Sequence, residues 1–476
     1  MDTDSARPAV TELRLSAFKT HRGVTLPLGP LTLLSGESGS GKSSALQAYE
    51  FLARLGSGEP LPKAVEAVAG GAAACVPAAA RPDGQGRRGF RLGCTVDGPV
   101  GLVHLDLAVQ AEPELRIVGE RLTGGGETLL TTALTDPDRP AVQAAWHTAG
   151  ATPVTRAPLP DDRLGTSLLP LRVAGKTAGQ RLVLDAAEQV VVALRSAFAC
   201  DPLPEVMRGD RTGAATGAGA GAGPGAGAVT AGRRGSGRGA KAAKPGGRGG
   251  AGARGRDGGA AGGWGHHGDE EPDEGRLRSS CDNLPTVLER TSRECARRHA
   301  VLVAAVREAC AGPVEGLRAV PRQPNGAGGG QGVTVAEVAA VADGAGGSAG
   351  VASAGRGATA GGPVPGVRAV IDRGAWAMPV EQLGDGELRF LGLALVLLTG
   401  PGVLAMDPAG EIPSAQQQLT VMADGMDRCM DDRQARELVS LAVRMAARGH
   451  VRLLGTVRDP SVVEGLPGVQ VLHLGA

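Results

Sequence analysis

The residues with the clearest chemistry are Gly36-Glu37-Ser38-Gly39-Ser40-Gly41-Lys42-Ser43, a Gly-x-x-x-x-Gly-Lys-Ser run. Such a run suits a polyphosphate. Its glycines let the backbone approach, successive N–H groups and a helix start face the anion, the lysine reaches the outer phosphates and the serine hydroxyl ligates Mg²⁺. Gly36, Ser38, Gly39, Ser40, Gly41, Lys42, Ser43 and Ser44 are therefore the candidate binding residues, with ATP and Mg²⁺ the expected ligands. Asp407 ends the apolar run Val403-Leu404-Ala405-Met406, which would put a carboxylate at the C-terminal edge of a parallel strand, where α/β sheets bind ligands. Ser43 and Asp407 form the expected metal pair, and Lys42 and Asp407 the first catalytic candidates. Gly384-Asp385-Gly386, within Leu383 to Arg389, precedes an apolar helix and could present backbone N–H groups to an anion; an ordinary loop and helix cap would read the same way.

These side chains need elements to hold them. Leu13, Leu15 and Ala17 alternate with polar neighbours, and Leu31-Thr32-Leu33-Leu34 is a short apolar run ending at the phosphate loop; both predict strands. After Ser43, the residues Leu46, Tyr49, Leu52 and Ala53 fall at helical spacing, with Gly56 as a stop. Phe90 to Val96, Val103 to Val109 and Leu115 to Val118 predict an antiparallel meander. Helices are expected over Gln180–Phe198, Pro285–Ala309, Glu387–Leu398 and Arg433–Arg448, the last capped by Asp432 and ended by Gly449. Strands are expected over Gly402–Met406, Val451–Thr456 and Val469–Leu474.

Glycine is 77 of 476 residues, and most of the excess lies in two Gly/Ala-rich tracts, 212–275 and 325–366, which bury too little apolar surface to order. The expected fold class is thus α/β, a phosphate-loop NTPase core with an antiparallel β meander, a helical insertion and disordered tracts. Its expected divisions are 10–130, an insertion 160–324, a linker 325–366 and a C-terminal lobe 367–476. Fifty basic and 49 acidic residues give no global field toward nucleic acid or membrane. Residues 231–256 hold eight Arg or Lys and no acid; they read either as a solvated insert or as an arm for phosphate backbones. Seven scattered cysteines form no Cys-x-x-Cys pattern, and His266-His267 is an isolated pair, so neither a disulfide nor a zinc framework is expected. With no signal peptide and no apolar run near the ~20 residues of a membrane span, a soluble cytoplasmic protein without a membrane partner is expected.

The phosphate loop, the Leu-x-Asp-Gly-x-Leu-Arg helix start and an aspartate about 20 residues later together resemble the ATP-binding head of the ABC-type ATPases. Within that class the opening Leu13-Arg14-Leu15-Ser16-Ala17-Phe18-Lys19 and the run Leu31 to Ser44 are similar to the RecF/SMC and overcoming-lysogenization-defect group. The resemblance covers about residues 10–125 and 367–476. It implies an ATP-dependent homodimer in which Gly384, Asp385 and Gly386 of one subunit complete the nucleotide site of the other, acting on DNA or a DNA-bound partner. Three departures bear on turnover. Gly384 replaces the signature serine, Pro408 stands where the family's catalytic glutamate follows its aspartate, and Arg458 replaces the switch histidine. Glu411 is the substitute base available four residues beyond Asp407. A slow ATPase and a nucleotide-gated scaffold with negligible hydrolysis both fit; a compact small-molecule kinase fits poorly, and no heptads support a cohesion-type coiled coil.

Overall fold

Alternation and continuous burial sort the strands of the computed structural model into separate sheets. It describes residues 7–147, 154–209, 277–321, 366–403 and 418–475, all of which fall in one of two compact units. Strands that alternate between buried and exposed positions build an eight-stranded antiparallel sheet. Its members are β1 (Ala9–Phe18), β2 (His21–Pro27), β4 (Arg88–Asp97), β5 (Val103–Glu112), β6 (Arg116–Gly124), β7 (Glu127–Ala133), β8 (Ala141–His147) and β9 (Val154–Pro160), in the order β2-β1-β4-β5-β6-β7-β8-β9. The predicted meander is its middle.

A second, five-stranded parallel sheet has its inner strands buried on both faces, β3 (Leu31–Ser35) and β14 (Leu419–Ala423) at every position, while its two edge strands are only partly buried. Its order is β10 (Ala197–Ala199), β14, β15 (Val451–Thr456), β3, β16 (Gln470–His473), so the two ends of the chain share one sheet. Successive residues of β3 face opposite sides, as the two-residue strand period demands. Leu34 packs with α1 (Lys42–Gly56), α4 (Ala178–Arg195) and the antiparallel sheet, whereas Leu31 and Leu33 pack with the helices beyond the other face.

Those helices are α6 (Leu284–Glu294), α7 (Ala296–Ala309), α8 (Asp385–Thr399) and α9 (Asp432–Ala446), joined by a small antiparallel sheet of β11 (Gly316–Pro321), β12 (Val367–Asp372) and β13 (Ala377–Pro379). Helix α8 is buried from Leu388 to Thr399, which explains why, Arg389 apart, it is apolar on every side. Asp431 caps α9 by accepting a hydrogen bond from Gln434 N at 2.7 Å, one residue earlier than the expected cap at Asp432.

Three expectations need correction. The helix over Pro285–Ala309 is two helices, broken at Cys295, whose extended φ of −150° cannot continue a helix. The helix over Gln180–Phe198 stops at Arg195, because Ala197–Ala199 leaves it to pair in parallel with Thr420–Met422. The strand over Gly402–Met406 does not form at its start: Gly400–Val403 is a 3₁₀ turn closing α8. Residues 404–417, with Asp407, Pro408 and Glu411, lie outside the described residues, as do both Gly/Ala-rich tracts except Gly366, the basic run 231–256 and His266-His267.

Candidate nucleotide-binding site

The loop 36–41 leaves β3 at the sheet's C-terminal edge and enters α1, the strand–loop–helix order that the sequence predicts. Its shape depends on glycine at two places. Gly36 has φ +138°, and a Cβ there would lie 2.2 Å from the Leu474 carbonyl oxygen. Gly41, which precedes α1, has φ +95°, and a Cβ would meet the His21 ring at 2.6 Å. His21 is buried, with Nε2 2.9 Å from Gly41 O; since a carbonyl only accepts, Nε2 carries the proton.

Lys42 curls back over the loop and donates from Nζ to Gly36 O at 2.6 Å and Glu37 O at 2.8 Å. The amides of the first turn of α1 lack acceptors one turn earlier, as at any helix start, so an anion placed beside them would meet N–H groups and the positive end of the helix dipole. Glu37, Ser38, Gly39 and Ser43 are exposed and Ser44 is half-buried, while the Ser40 hydroxyl is sequestered without a hydrogen-bond partner. A loop of glycines and hydroxyls around an ammonium fits a polyphosphate.

The carboxylate that faces this loop is one the sequence reading missed. Asp424, the residue after β14, accepts a hydrogen bond from Ser43 Oγ at Oδ2, 2.7 Å away. Its Oδ1 accepts from Thr456 Oγ1 at 2.6 Å, and Thr456 Oγ1 also accepts from Gly425 N at 2.7 Å. Strands β14 and β15 are adjacent and parallel, with Ala423 opposite Gly455, which places Asp424 opposite Thr456 at the edge where the phosphate loop emerges. A hydroxyl and a carboxylate at hydrogen-bond distance offer oxygen donors suited to a hard cation such as Mg²⁺, which retains waters and takes phosphate oxygens as well. Among the described residues no cluster of three or more His, Cys, Asp or Glu side chains could hold a metal alone.

No protein-family model and no curated protein matches the chain. Solved structures to which it is similar include an SMC head bound to the C-terminal winged-helix domain of ScpA, at 10% identity, covering 95% of this chain and 90% of that one with a TM-score of 0.40. Another is the SMC head domain from Thermotoga maritima, at 10% identity, 97% and 94% coverage and a TM-score of 0.35. A third is an Smc head with an extended coiled coil bound to the C-terminal domain of ScpA, derived from Pyrococcus furiosus, at 10% identity, 96% and 90% coverage and a TM-score of 0.38.

The second candidate segment lies apart from the phosphate loop, and among the described residues no hydrogen bond joins Gly384, Asp385 or Gly386 to residues 36–44. Its three residues divide by environment. Gly384 and Asp385 are exposed; Gly384 N donates to Glu387 Oε2 at 3.1 Å, and Asp385 pairs with Arg208 at 2.6 Å. Gly386 is buried, and a Cβ there would lie 2.1 Å from Cys429 O. Its glycine is thus required by the chain's own loop 425–431, whatever else binds nearby.

Gly425 directly follows Asp424 and has no side chain to serve as a base. The next carboxylate, Asp427, holds the backbone N–H groups of Arg458 and Asp459 on Oδ2 at 2.7 and 3.0 Å, while the Arg458 side chain is exposed. Asp427 is thus tied to the turn that follows β15, with both amides on one carboxylate oxygen.

Cys429 is exposed, Cys295 is partly exposed, and Cys75, Cys94, Cys200, Cys281 and Cys310 are buried. Burial pushes the Cys94 and Cys310 thiols up to about 12 and Cys75 up to about 11. A maleimide titration of the native protein is therefore expected to modify Cys429 first and Cys295 more slowly, with the five buried thiols reacting only on unfolding. Rapid native modification of Cys310 or Cys200 would contradict the packing of α7 and α8.

Proposed function

We propose that the chain is an ATP-binding protein of ABC-head type in which Mg²⁺-ATP binding, rather than rapid hydrolysis, is the working event. The observation that supports this most is the Ser43–Asp424 hydrogen bond, which sets a metal-binding pair at the start of α1, beside the loop that Lys42 closes. Ser43 and Asp424 would hold the cation, Lys42 the outer phosphates, and the amides of residues 39–44 the rest of the phosphate chain. Bound Mg²⁺ would neutralise phosphate charge; Thr456 would orient the Asp424 carboxylate.

Slow turnover is the reading that Gly425 favours. Among the described residues no carboxylate directly follows Asp424 and Asp427 is engaged by two amides, and a missing general base costs about 10²- to 10⁴-fold in rate. Nucleotide would then act through assembly: exposed Gly384 and Asp385 offer the start of α8 to a second copy's nucleotide. Purified protein should retain ATP with Mg²⁺ and elute as a dimer, both lost in Lys42→Ala. Phosphate release should stay within about tenfold of the Lys42→Ala background. Fast release that Lys42→Ala abolishes would replace this reading with an ATPase; no ATP retention would remove the site.

A further inference from the structure

Among the described residues Arg389 is the largest side chain that the fold buries, with 2% of its surface exposed. It lies one turn into α8, and its guanidinium joins three segments distant in sequence. One terminal nitrogen donates to Asp201 Oδ1 at 2.9 Å and Pro202 O at 2.7 Å. The other donates to Asp424 O at 3.0 Å and Gly425 O at 3.2 Å. Packing alone does not account for a charge here, because an apolar side chain of similar volume would avoid the desolvation cost that a buried ion pair only partly recovers.

What the guanidinium supplies is direction. It holds two successive carbonyls at the end of β14 and so limits rotation of the backbone that carries the Asp424 carboxylate. Ser43 and Thr456 hold the same residue by its side chain. The backbone is fixed from α8 and the carboxylate from α1 and β15.

We propose that Arg389 is a positioning residue for Asp424: it ties the start of α8 to the strand end that presents the metal-side carboxylate, and thereby sets the Mg²⁺ dependence of nucleotide binding. This rests on the proposed ATP–Mg²⁺ site. Asp201 completes the device by orienting the guanidinium, and lysine cannot replace it, since one ammonium cannot span both pairs of acceptors as a planar fork does. Outer-shell partners of this kind change metal affinity by about 10- to 100-fold.

The test is equilibrium titration of the full chain with a fluorescent N-methylanthraniloyl ATP, in Mg²⁺ and in EDTA, for wild type, Arg389→Lys, Asp201→Ala and Lys42→Ala. The ratio of the two affinities should fall about tenfold or more in Arg389→Lys and Asp201→Ala, with the EDTA affinity unchanged. Lys42→Ala should weaken binding in both buffers. A wild-type ratio in folded Arg389→Lys overturns the proposal, as does an equal loss in both buffers, which marks a purely structural role. Should Arg389→Lys fail to fold, Asp201→Ala decides, because the Asp201 side chain is 48% exposed and water can take its place beside the guanidinium, which keeps its bond to Pro202 O. Wild type that binds in neither buffer would instead remove the ATP site itself.

Discussion

Replacing Asp424 by alanine should weaken Mg²⁺-dependent ATP binding by more than about 100-fold, since even the outer-shell partners of metal ligands are worth about 10- to 100-fold. The same change at Asp407 should leave affinity unchanged. The contrast follows from which strand lies beside the phosphate loop's own. Strand β15 pairs with β3 on one side and β14 on the other, so the end of β14 is two strands from the loop, and Asp424 reaches Ser43 Oγ at 2.7 Å. Removing the carboxylate also leaves Thr456 Oγ1 and Ser43 Oγ without their shared acceptor. Ser43 is exposed and its hydroxyl can turn to water, while the buried Thr456 hydroxyl keeps the hydrogen bond it accepts from Gly425 N, so the fold should survive, with an unfolding midpoint within a few degrees of wild type. Isothermal titration in Mg²⁺ and in EDTA separates the two aspartates. Equal losses for Asp407→Ala and Asp424→Ala, or loss for Asp407→Ala alone, would return the metal site to the position first expected from sequence.

The phosphate loop was legible because its chemistry is local: a short run of residues carries the glycines, the lysine and the hydroxyl, and the flanking strand and helix follow their own periodicities. Asp424, the aspartate that meets Ser43, was not. Two apolar runs that end in aspartate follow α8, Val403 to Met406 and Leu419 to Ala423, and nothing within either run tells a strand from a turn. Connection length favours the second. A strand ending at Met406 would need a loop of some 25 residues to reach α9, whereas Asp424 leaves eight before Asp432, close to the short βα connections of α/β units. Arg389 was legible only as part of a motif, since its partners Asp201 and Asp424 lie 188 and 35 residues away. The outer strands β7 to β9 escaped notice for another reason. These segments, short and rich in Thr, Ala or Pro, are strands because each pairs with the last, a cooperative property no single segment displays.

Restoring a carboxylate after the strand-end aspartate should change the rate more than any removal. Gly425→Glu is expected to raise single-turnover ATP hydrolysis by about 10²-fold or more, the scale on which a general base acts. Glycine at 425 has φ +60°, a left-handed conformation that costs a glutamate about 1–2 kcal/mol. Space is not the obstacle, because a Cβ there would meet first the Cβ of Arg428, at 3.3 Å. The bonds that fix the turn are made by backbone atoms, Gly425 N to Thr456 Oγ1 and Gly425 O from Arg389, so the substitution keeps them. Gly425→Gln is the control: it carries the same backbone strain and nearly the same volume but accepts no proton at neutral pH, and it should stay at the wild-type rate. Equal rates for the glutamate and glutamine variants, both folded and both binding ATP, would show that the missing base is not what holds turnover down. A rise confined to Gly425→Glu would mean that the chain keeps an otherwise complete site for in-line attack and is held short of hydrolysis by one side chain, which is what a protein that uses ATP to stay assembled requires.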